Sequence, residues 1–357
     1  MFLNEFKQVL EKTPVILLSD PLSLAFIDDV CIIKNQREYF LRMDSLEKQE
    51  SNKTVVIDAE GSYFDRIPRV YLNHDPYIPD LSNFLFTKYN QIMSWSFTQK
   101  DIQNRILSDT KVDTIILILV DGLSFDDCKN RPFVTPCLVN GATITPVGFR
   151  NIIGKPPIEY HLFKRGFKSR IGFSYWDRSN ELTNLIFTGF DPGAQMHRVE
   201  EFDQILSTLS GYKLNKTYVQ IILSGLDQFA HEFRDRPPVN EWVERLFSHY
   251  IESIKEILQA KGLIGHIYVV SDHGILWKPK RLEKKVIVIP EIQATRKRFM
   301  NGHKIRNNVI HVSCFGEDYS LLKYPYIYND FRSNEWGTHG GISYYESIVP
   351  FLKLEVF

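Results

Sequence analysis

Residues 114–127 read TIILILVDGLSFDD. Six consecutive apolar side chains, Ile115 to Val120, run straight into Asp121-Gly122. Such a run, rich in Ile and Val, has no polar face to turn to water. It predicts a strand buried on both sides of a parallel sheet. The first charge arrives at the C-terminal end of the run. Ligands of open α/β sheets bind beyond that end, so Asp121 is the first candidate for chemistry.

Outward from this strand the same alternation continues. Short apolar runs at 14–19, 30–33 and 54–58 predict strands ahead of it, and 88–108 reads as mostly helical. Beyond it, strands are predicted within 167–173 and at 218–223, 266–271 and 286–290, with a helix at 199–209. Residues 241–259 predict an amphipathic helix, with Trp242, Leu246, Tyr250, Ile254 and Leu258 along one face. Strands alternating with helices predict an α/β fold with a mostly parallel, doubly wound sheet. A boundary near residue 110 divides an N-terminal α/β region, 1–110, from the region that holds Asp121, 111–357. The sheet is free to run across that boundary.

Composition narrows the function classes. The chain of 357 residues is 43% hydrophobic, enough for one large or two moderate cores. Its 43 basic residues balance 43 acidic ones, so net charge gives no argument for nucleic acid or membrane. Aromatics are plentiful, 25 Phe and 17 Tyr, and read as core filling. The cysteines, Cys31, Cys128, Cys137 and Cys314, form no CxxC pair, which predicts a reducing compartment. The opening MFLNEFKQVLEK is interrupted by Glu5, and no apolar run reaches the roughly 18–20 residues of a membrane helix. A cytoplasmic protein without a membrane anchor is expected.

Three apolar runs end in acids. The first ends at Asp121. YVQIILSGLDQFAHEF reaches Asp227 and then His231, and IYVVSDHG ends in Asp272-His273. A fourth motif, GTHGGISYYESIVPF, places His339 beside glycines. Asp and His four residues apart share one face of a helical turn. Each motif alone is weak, since Asp-Gly is most often a turn and DxxxH most often a local surface pair. Their joint occurrence at strand ends points to metal. Three carboxylates and three imidazoles suit Zn²⁺ first and Mn²⁺ second, rather than Ca²⁺. Six ligands exceed one four-coordinate ion and suit two divalent ions, which clamp both oxygens of a phosphoryl or sulfuryl transfer.

In this order the residues resemble the alkaline phosphatase superfamily, especially its phosphodiesterase and nucleotide pyrophosphatase branch. The resemblance spans roughly 112–350 and implies a three-layer α/β/α fold. It implies one ion held by Asp121, Asp272 and His273, and a second held by Asp227, His231 and His339. In the segment ATITPVGFRNIIGKPPIEYH it implies Thr145 as the catalytic nucleophile, bridging to the first ion, with Thr143 as the fallback. A phospho-threonine intermediate would result. The 24 residues from Asp121 to Thr145 are fewer than in the pyrophosphatase branch and leave less room for a lid. The family's substrate-steadying Asn has no clear counterpart, which leaves Arg150 or Asn151 for substrate binding. Ser124 reads as a helix cap.

A closer resemblance is to PglZ-domain proteins of BREX-type bacterial phage defence, within the same superfamily. PVILLSDPLSL, EYFLRMDSLE and IPRVYLNHDPYIPDLSNFLF resemble that group's segments ahead of the first metal Asp. The run FSYWDRSNELTNLIFTGF stands where that group has a short variable region.

The expected activity is a metal-dependent phosphodiesterase. A phosphomonoesterase or phosphomutase of the superfamily, or a non-catalytic scaffold subunit of a defence complex, is the alternative. A sulfatase is disfavoured, because no CxPxR-type signature stands at Thr145. Ten basic residues between Lys278 and Arg306, in a basic insertion at about 275–310, could track a nucleotide or nucleic acid backbone, or merely keep the insertion solvated. Tyr324, Tyr326 and Tyr328 could stack bases, with core packing the plainer reading. Glu232 and Glu346 are candidates to orient the imidazoles, or else surface acids.

Overall fold

The computed structural model describes residues 15–18, 31–33, 54–57, most of 82–95, and 97–357 apart from 129–130, 176–193, 233–234, 236, 279–285, 292–293, 295 and 304–306. The chain forms two compact units, Met1–Phe97 and Thr98–Phe357. In the first, β1 (Val15–Leu18), β2 (Cys31–Ile33) and β3 (Thr54–Ile57) form a parallel sheet in the order β1-β3-β2. The N-terminal segments that carry the PglZ resemblance lie largely outside the described residues.

The second unit is a mixed α/β fold with a largely parallel central sheet flanked by helices, consistent with the three-layer arrangement expected. Its strands in chain order include β4 (Thr114–Val120), β5 (Thr135–Leu138), β6 (Ser169–Tyr175), β7 (Ala194–Val199), β8 (Thr217–Leu223) and β9 (Gly265–Ser271). Six short strands come next: β10 (Leu276–Trp277), β11 (Ile287–Ile289), β12 (Phe299–Asn301), β13 (Val309–Cys314), β14 (Glu317–Leu322) and β15 (Tyr326–Tyr328). The last two are β16 (Gly337–Thr338) and β17 (Ile348–Val356). The central sheet has the order β5-β17-β9-β4-β8-β6-β7. All its pairings are parallel except those of β17, which runs antiparallel to both neighbours.

The central strands are buried because both faces are covered. Every residue of β4, β8 and β9 is buried. Ile116, Ile118 and Val120 share one face with Val219, Ile221, Val269 and the helical side chains Phe202, Ile205, Leu246 and Ile254. The alternate residues, Ile115, Leu117, Leu119, Tyr218, Ile222 and Tyr268, are equally buried. At about 25 cal/mol per Å² of apolar area, this double burial is the main force that fixes the register. Val120 stands opposite both Leu223 and Ser271. The three strands therefore end level, and the segment after each is delivered to one edge.

The helix expected over 241–259 is present but not uniform. It runs as Val239–Arg245, a π-helical turn Leu246–Ile251, and Glu252–Ala260. The reason is legible in the spacing. Trp242, Leu246, Tyr250, Ile254 and Leu258 recur every four residues, whereas an α-helix repeats every ~3.6. A wider π turn absorbs the accumulated drift, so Leu246, Ile254 and Leu258 all reach full burial. The run at 286–290 forms β11 as predicted, but β11 pairs in parallel with β15 in a separate two-stranded sheet.

Helix α1 (Thr145–Ile153) packs hard against the end of β9. A Cβ added at Gly148 would lie 2.2 Å from the carbonyl oxygen of Asp272, which is backbone and cannot swing aside. Gly148→Ala is therefore expected to cost about 2–3 kcal/mol or more, read as a lowered midpoint of urea unfolding.

Candidate metal centre

The site is built from the loops that leave the level strand ends. Asp121 comes directly after β4. Gly122 adopts φ +79°, which lets the chain leave the sheet at once. The Asp121 carbonyl accepts the amides of Leu226 and Asp227, at 3.0 and 3.3 Å, and so joins the loop after β4 to the loop after β8. The helix Asp227–Glu232 then carries Asp227 and His231 on one face. Asp272-His273 comes directly after β9. Because β17 is antiparallel, its start lies at this same edge, and the loop that precedes it brings His339 in.

All six side chains converge. The ligand atoms of Asp121, Asp272 and His273 lie within 4.8 Å of one another, as do those of Asp227, His273 and His339. His273 Nε2 is 3.4 Å from both Asp121 Oδ1 and Asp272 Oδ2. Asp227 Oδ1 is 3.3 Å from the Nε2 of His231 and 3.3 Å from the Nε2 of His339. The His273 and His339 rings stack at 4.0 Å. Thr145, the first residue of α1, is half-buried and holds its hydroxyl 3.4 Å from Asp121 Oδ1 and 3.3 Å from His273 Nε2.

Several contacts aim these groups inward. Asp272 Oδ1 accepts the amides of Gly122 and His273, at 3.1 and 2.8 Å. That leaves Asp272 Oδ2 buried without a hydrogen bond, and Asp227 Oδ1 is buried in the same condition. His273 Nδ1 faces the carbonyl of Gly274 at 3.1 Å, and His339 Nδ1 that of Thr143 at 3.0 Å. A carbonyl only accepts, so each Nδ1 carries a proton and each Nε2 is the nitrogen turned to the cluster. The residues fit divalent ions. Donors about 2.0–2.1 Å from a tetrahedral ion stand about 3.3–3.4 Å from each other. These separations match that, and the orphaned carboxylate oxygens are where a cation would bind.

The electrostatics of the protein's own groups point the same way. Burial, then the charges of Asp272 and Asp227, push the Asp121 carboxyl well above its ordinary range. Burial also raises Asp272. Burial acts the same way on Asp227, but the neighbouring imidazoles outweigh it and hold Asp227 low. Burial lowers His273, yet Asp272 and Asp121 overcome it and lift it to about 10. His339, desolvated and beside His273, falls to about 3. Burial lowers His231 too, and the Asp227 carboxylate 3.3 Å away more than restores it.

Other expected residues do different work. Thr143, the fallback nucleophile, is fully buried, and its hydroxyl is engaged by Gly340 and Gly341, which removes it from that role. Asn151 is buried and donates to the carbonyl of Asn140 at 2.7 Å and to Gln99 Oε1 at 3.3 Å, so its amide is spent inside the protein. Arg150 is exposed and lies over the Phe315 ring. Glu346 is neither a surface acid nor an imidazole partner: it is fully buried and paired with Arg298. The Glu232 side chain lies outside the described residues. Ser124 caps the helix Phe125–Cys128, its hydroxyl accepting from the Asp126 amide at 3.2 Å.

Of the ten basic residues, Lys278, Arg296, Lys297 and Arg298 are described. Arg298 is fully buried, and Lys297 pairs with Glu335 at 3.1 Å. Tyr328 is fully buried with Met300, Val309 and Leu322, so it packs rather than stacks bases. A further acid–histidine group, Asp109, His266 and Glu355, lies at the opposite end of β9. There the Lys353 ammonium, 2.5 Å from Asp109 and 2.6 Å from Glu355, already supplies the cation.

No family model matches the sequence, and no curated protein matches it. Among solved structures, the chain is similar to murine ectonucleotide pyrophosphatase/phosphodiesterase 5, with 12% identity and a TM-score of 0.46, over 66% of this chain and 87% of that one. It is similar to phosphonoacetate hydrolase from Sinorhizobium meliloti, with 13% identity and a TM-score of 0.41, over 67% and 89%. It is also similar to the C-terminal periplasmic domain of EptC from Escherichia coli, with 13% identity and a TM-score of 0.33, over 47% and 66%. The cytoplasmic expectation is corrected by this company, which includes periplasmic domains, and it is withdrawn. Among the described residues, no helix is long and apolar enough to cross a membrane.

One acid on the short helix Phe125–Cys128 is shifted to near neutrality. Burial, then the charge of Asp126, raises Asp127 to about 7. Between about pH 4 and 7 the folded chain keeps a proton that the unfolded chain, with a carboxyl pKa near 3.9, has released. The contribution of Asp127 to the unfolding free energy thus falls as pH rises through that window and levels off above it. Asp127→Asn removes this loss. Allowing for the partial exposure of the residue, it is expected to be more stable than the parent at pH 8 by about 1–2 kcal/mol, with little difference at pH 4, measured by urea unfolding at both pH values.

Proposed function

We propose that the chain is a metal-dependent hydrolase of phosphate esters, a phosphodiesterase before a phosphomonoesterase, with Thr145 as nucleophile. The observation that carries this reading is the position of the Thr145 hydroxyl, within 3.4 Å of Asp121 and His273, each a member of a metal-ligating group. Asp121, Asp272 and His273 would hold one divalent ion, and Asp227, His231 and His339 the other, with Zn²⁺ first and Mn²⁺ second. When bound, such ions lower the pKa of a neighbouring hydroxyl and offset charge on the transferring oxygens.

The protein's own groups supply the rest. Thr145 opens a nine-residue helix, so the positive end of that helix stands beside the attacking oxygen and an incoming phosphate. Pro146 fixes the first turn, which limits how far the hydroxyl can wander. Thr145 Oγ1 gives up its proton and forms the new P–O bond as the bond to the ester oxygen breaks and the leaving alcohol takes up a proton; water then cleaves the phospho-threonine, which restores the hydroxyl and releases the phosphate product. The packing of α1 on Asp272 through Gly148 holds attacker and ligands in one frame.

In this reading the catalytic region is 111–357, with the basic insertion at about 275–310, and residues 1–110 form a PglZ-like N-terminal region. The sequence resemblance supports a nucleotide or nucleic acid substrate and a phage-defence setting with protein partners. Turnover of a bis-aryl phosphodiester and of its monoester, with Zn²⁺ or Mn²⁺, tests the activity. Thr145→Ala is expected to lose ~10³-fold or more in kcat while still binding two ions by elemental analysis. Equal inactivity of both proteins, with both ions bound, would instead establish a non-catalytic scaffold.

A further inference from the structure

The six proposed ligands are not equally anchored. Asp121 and Asp272-His273 come directly after central strands, and Asp227 and His231 stand on a helix. His339 instead follows the two-residue strand β16, outside the central sheet, in the loop that leads to the short helix Tyr344–Ser347. Groups outside the ligand set grip that loop from two sides.

Thr143 makes three contacts with it. Its carbonyl accepts from His339 Nδ1, at 3.0 Å. Its hydroxyl accepts from the Gly340 amide and donates to the Gly341 carbonyl, each at 2.9 Å. From the other side, Glu346 Oε1 accepts the Gly341 amide at 2.9 Å. Glu346 is held in turn by Arg298, whose Nη2 is 2.7 Å from Oε2. Arg298 and Glu346 are both fully buried. The grip is close: a Cβ on Gly341 would lie 2.6 Å from Arg298 Nη2 and 2.6 Å from the Leu322 carbonyl.

We infer that Thr143 and the Arg298–Glu346 pair are positioning residues for His339, which hold its ring and its Nδ1–H tautomer so that Nε2 faces Asp227. The inference rests on the two-metal reading for its purpose, though not for its geometry. Thr143 lies two residues before the proposed nucleophile. One short segment therefore sets both the attacking hydroxyl and a ligand of the far ion. Loss of the Thr143 hydroxyl leaves the Gly340 amide buried and unpaired, and the loop loosens where His339 departs from it.

The test uses the full chain with Thr143→Val, which keeps shape and removes the hydroxyl, and Thr143→Ser, which restores it. Thr143→Ala runs in parallel, so that a folding failure of the valine variant leaves another to decide. In the metal-free proteins, amide hydrogen exchange at Gly340 and Gly341 is expected to quicken ~10-fold or more in the valine variant and to return to the parent rate with serine. Zn²⁺ titration against a chromophoric chelator is expected to show two ions in the parent. In the valine variant one ion should keep its affinity and the other weaken by ~10–100-fold, with serine restoring both. Unchanged exchange in the valine variant, or equal weakening of both ions, overturns the inference. A parent chain that takes up no Zn²⁺ overturns the two-metal reading instead, and the exchange rates then decide by themselves whether Thr143 holds the loop.

Discussion

Three carboxylates crowd together with three imidazoles at one edge of the central sheet, and like charges at that range do not stay ionised together unless positive charge stands between them. The rest of the structure is arranged around this constraint. The level ends of β4, β8 and β9 force the acids together, and backbone amides fix Asp272 with one oxygen spent and the other bare. The carbonyls of Gly274 and Thr143 turn two imidazoles so that their Nε2 atoms face the same space. Without a cation the cluster compromises by protonation, with Asp121 pushed up and His273 pushed the same way by its acidic neighbours. Shifts of this kind, gathered at one edge of the sheet, suit a site that takes up positive charge from outside the protein.

The interior ion pair of Arg298 and Glu346 shows how the outlying small sheets belong to the same design. Arg298 leaves a segment that reads as a basic surface tract, yet its guanidinium is sealed in the interior, bonded to Glu346 and to the carbonyl of Tyr326. Breaking a buried pair by removing one partner costs about 3–5 kcal/mol, because the survivor is left uncompensated. The pair thus ties the β11–β15 region to the loop that carries His339.

Much of this was legible in the residues. The unbroken apolar run before Asp121, and the two similar runs before Asp227 and Asp272, foretold buried parallel strands, because only a doubly covered strand tolerates no polar alternation. The acids at their ends could be grouped because parallel strands in register deliver their ends to one edge. Partnerships across long sequence separations stayed hidden. Nothing in Thr143 announces that its hydroxyl is spent on Gly340 and Gly341, nearly two hundred residues later. Arg298 among lysines looks like one more solvated charge. Asn151, near the nucleophile in sequence, is turned inward toward Gln99. The π turn lay in between: the four-residue spacing from Trp242 to Leu258 was visible, and its mismatch with an α-helical repeat is the feature that demands a wider turn.

The position of β17 between β5 and β9 has a bearing on synthesis. Strand β5 is made early, yet its sheet partner is among the later segments to emerge, since Ile348 pairs with Leu138 and Phe351 with Val270. On the ribosome the first half of the second unit must wait, its sheet incomplete, until this strand slides in between. The same insertion draws His339 toward the acids, so a nascent chain does not assemble a full set of donors while it is still open. An ion held as proposed would therefore meet its full donor set only once this strand is in place.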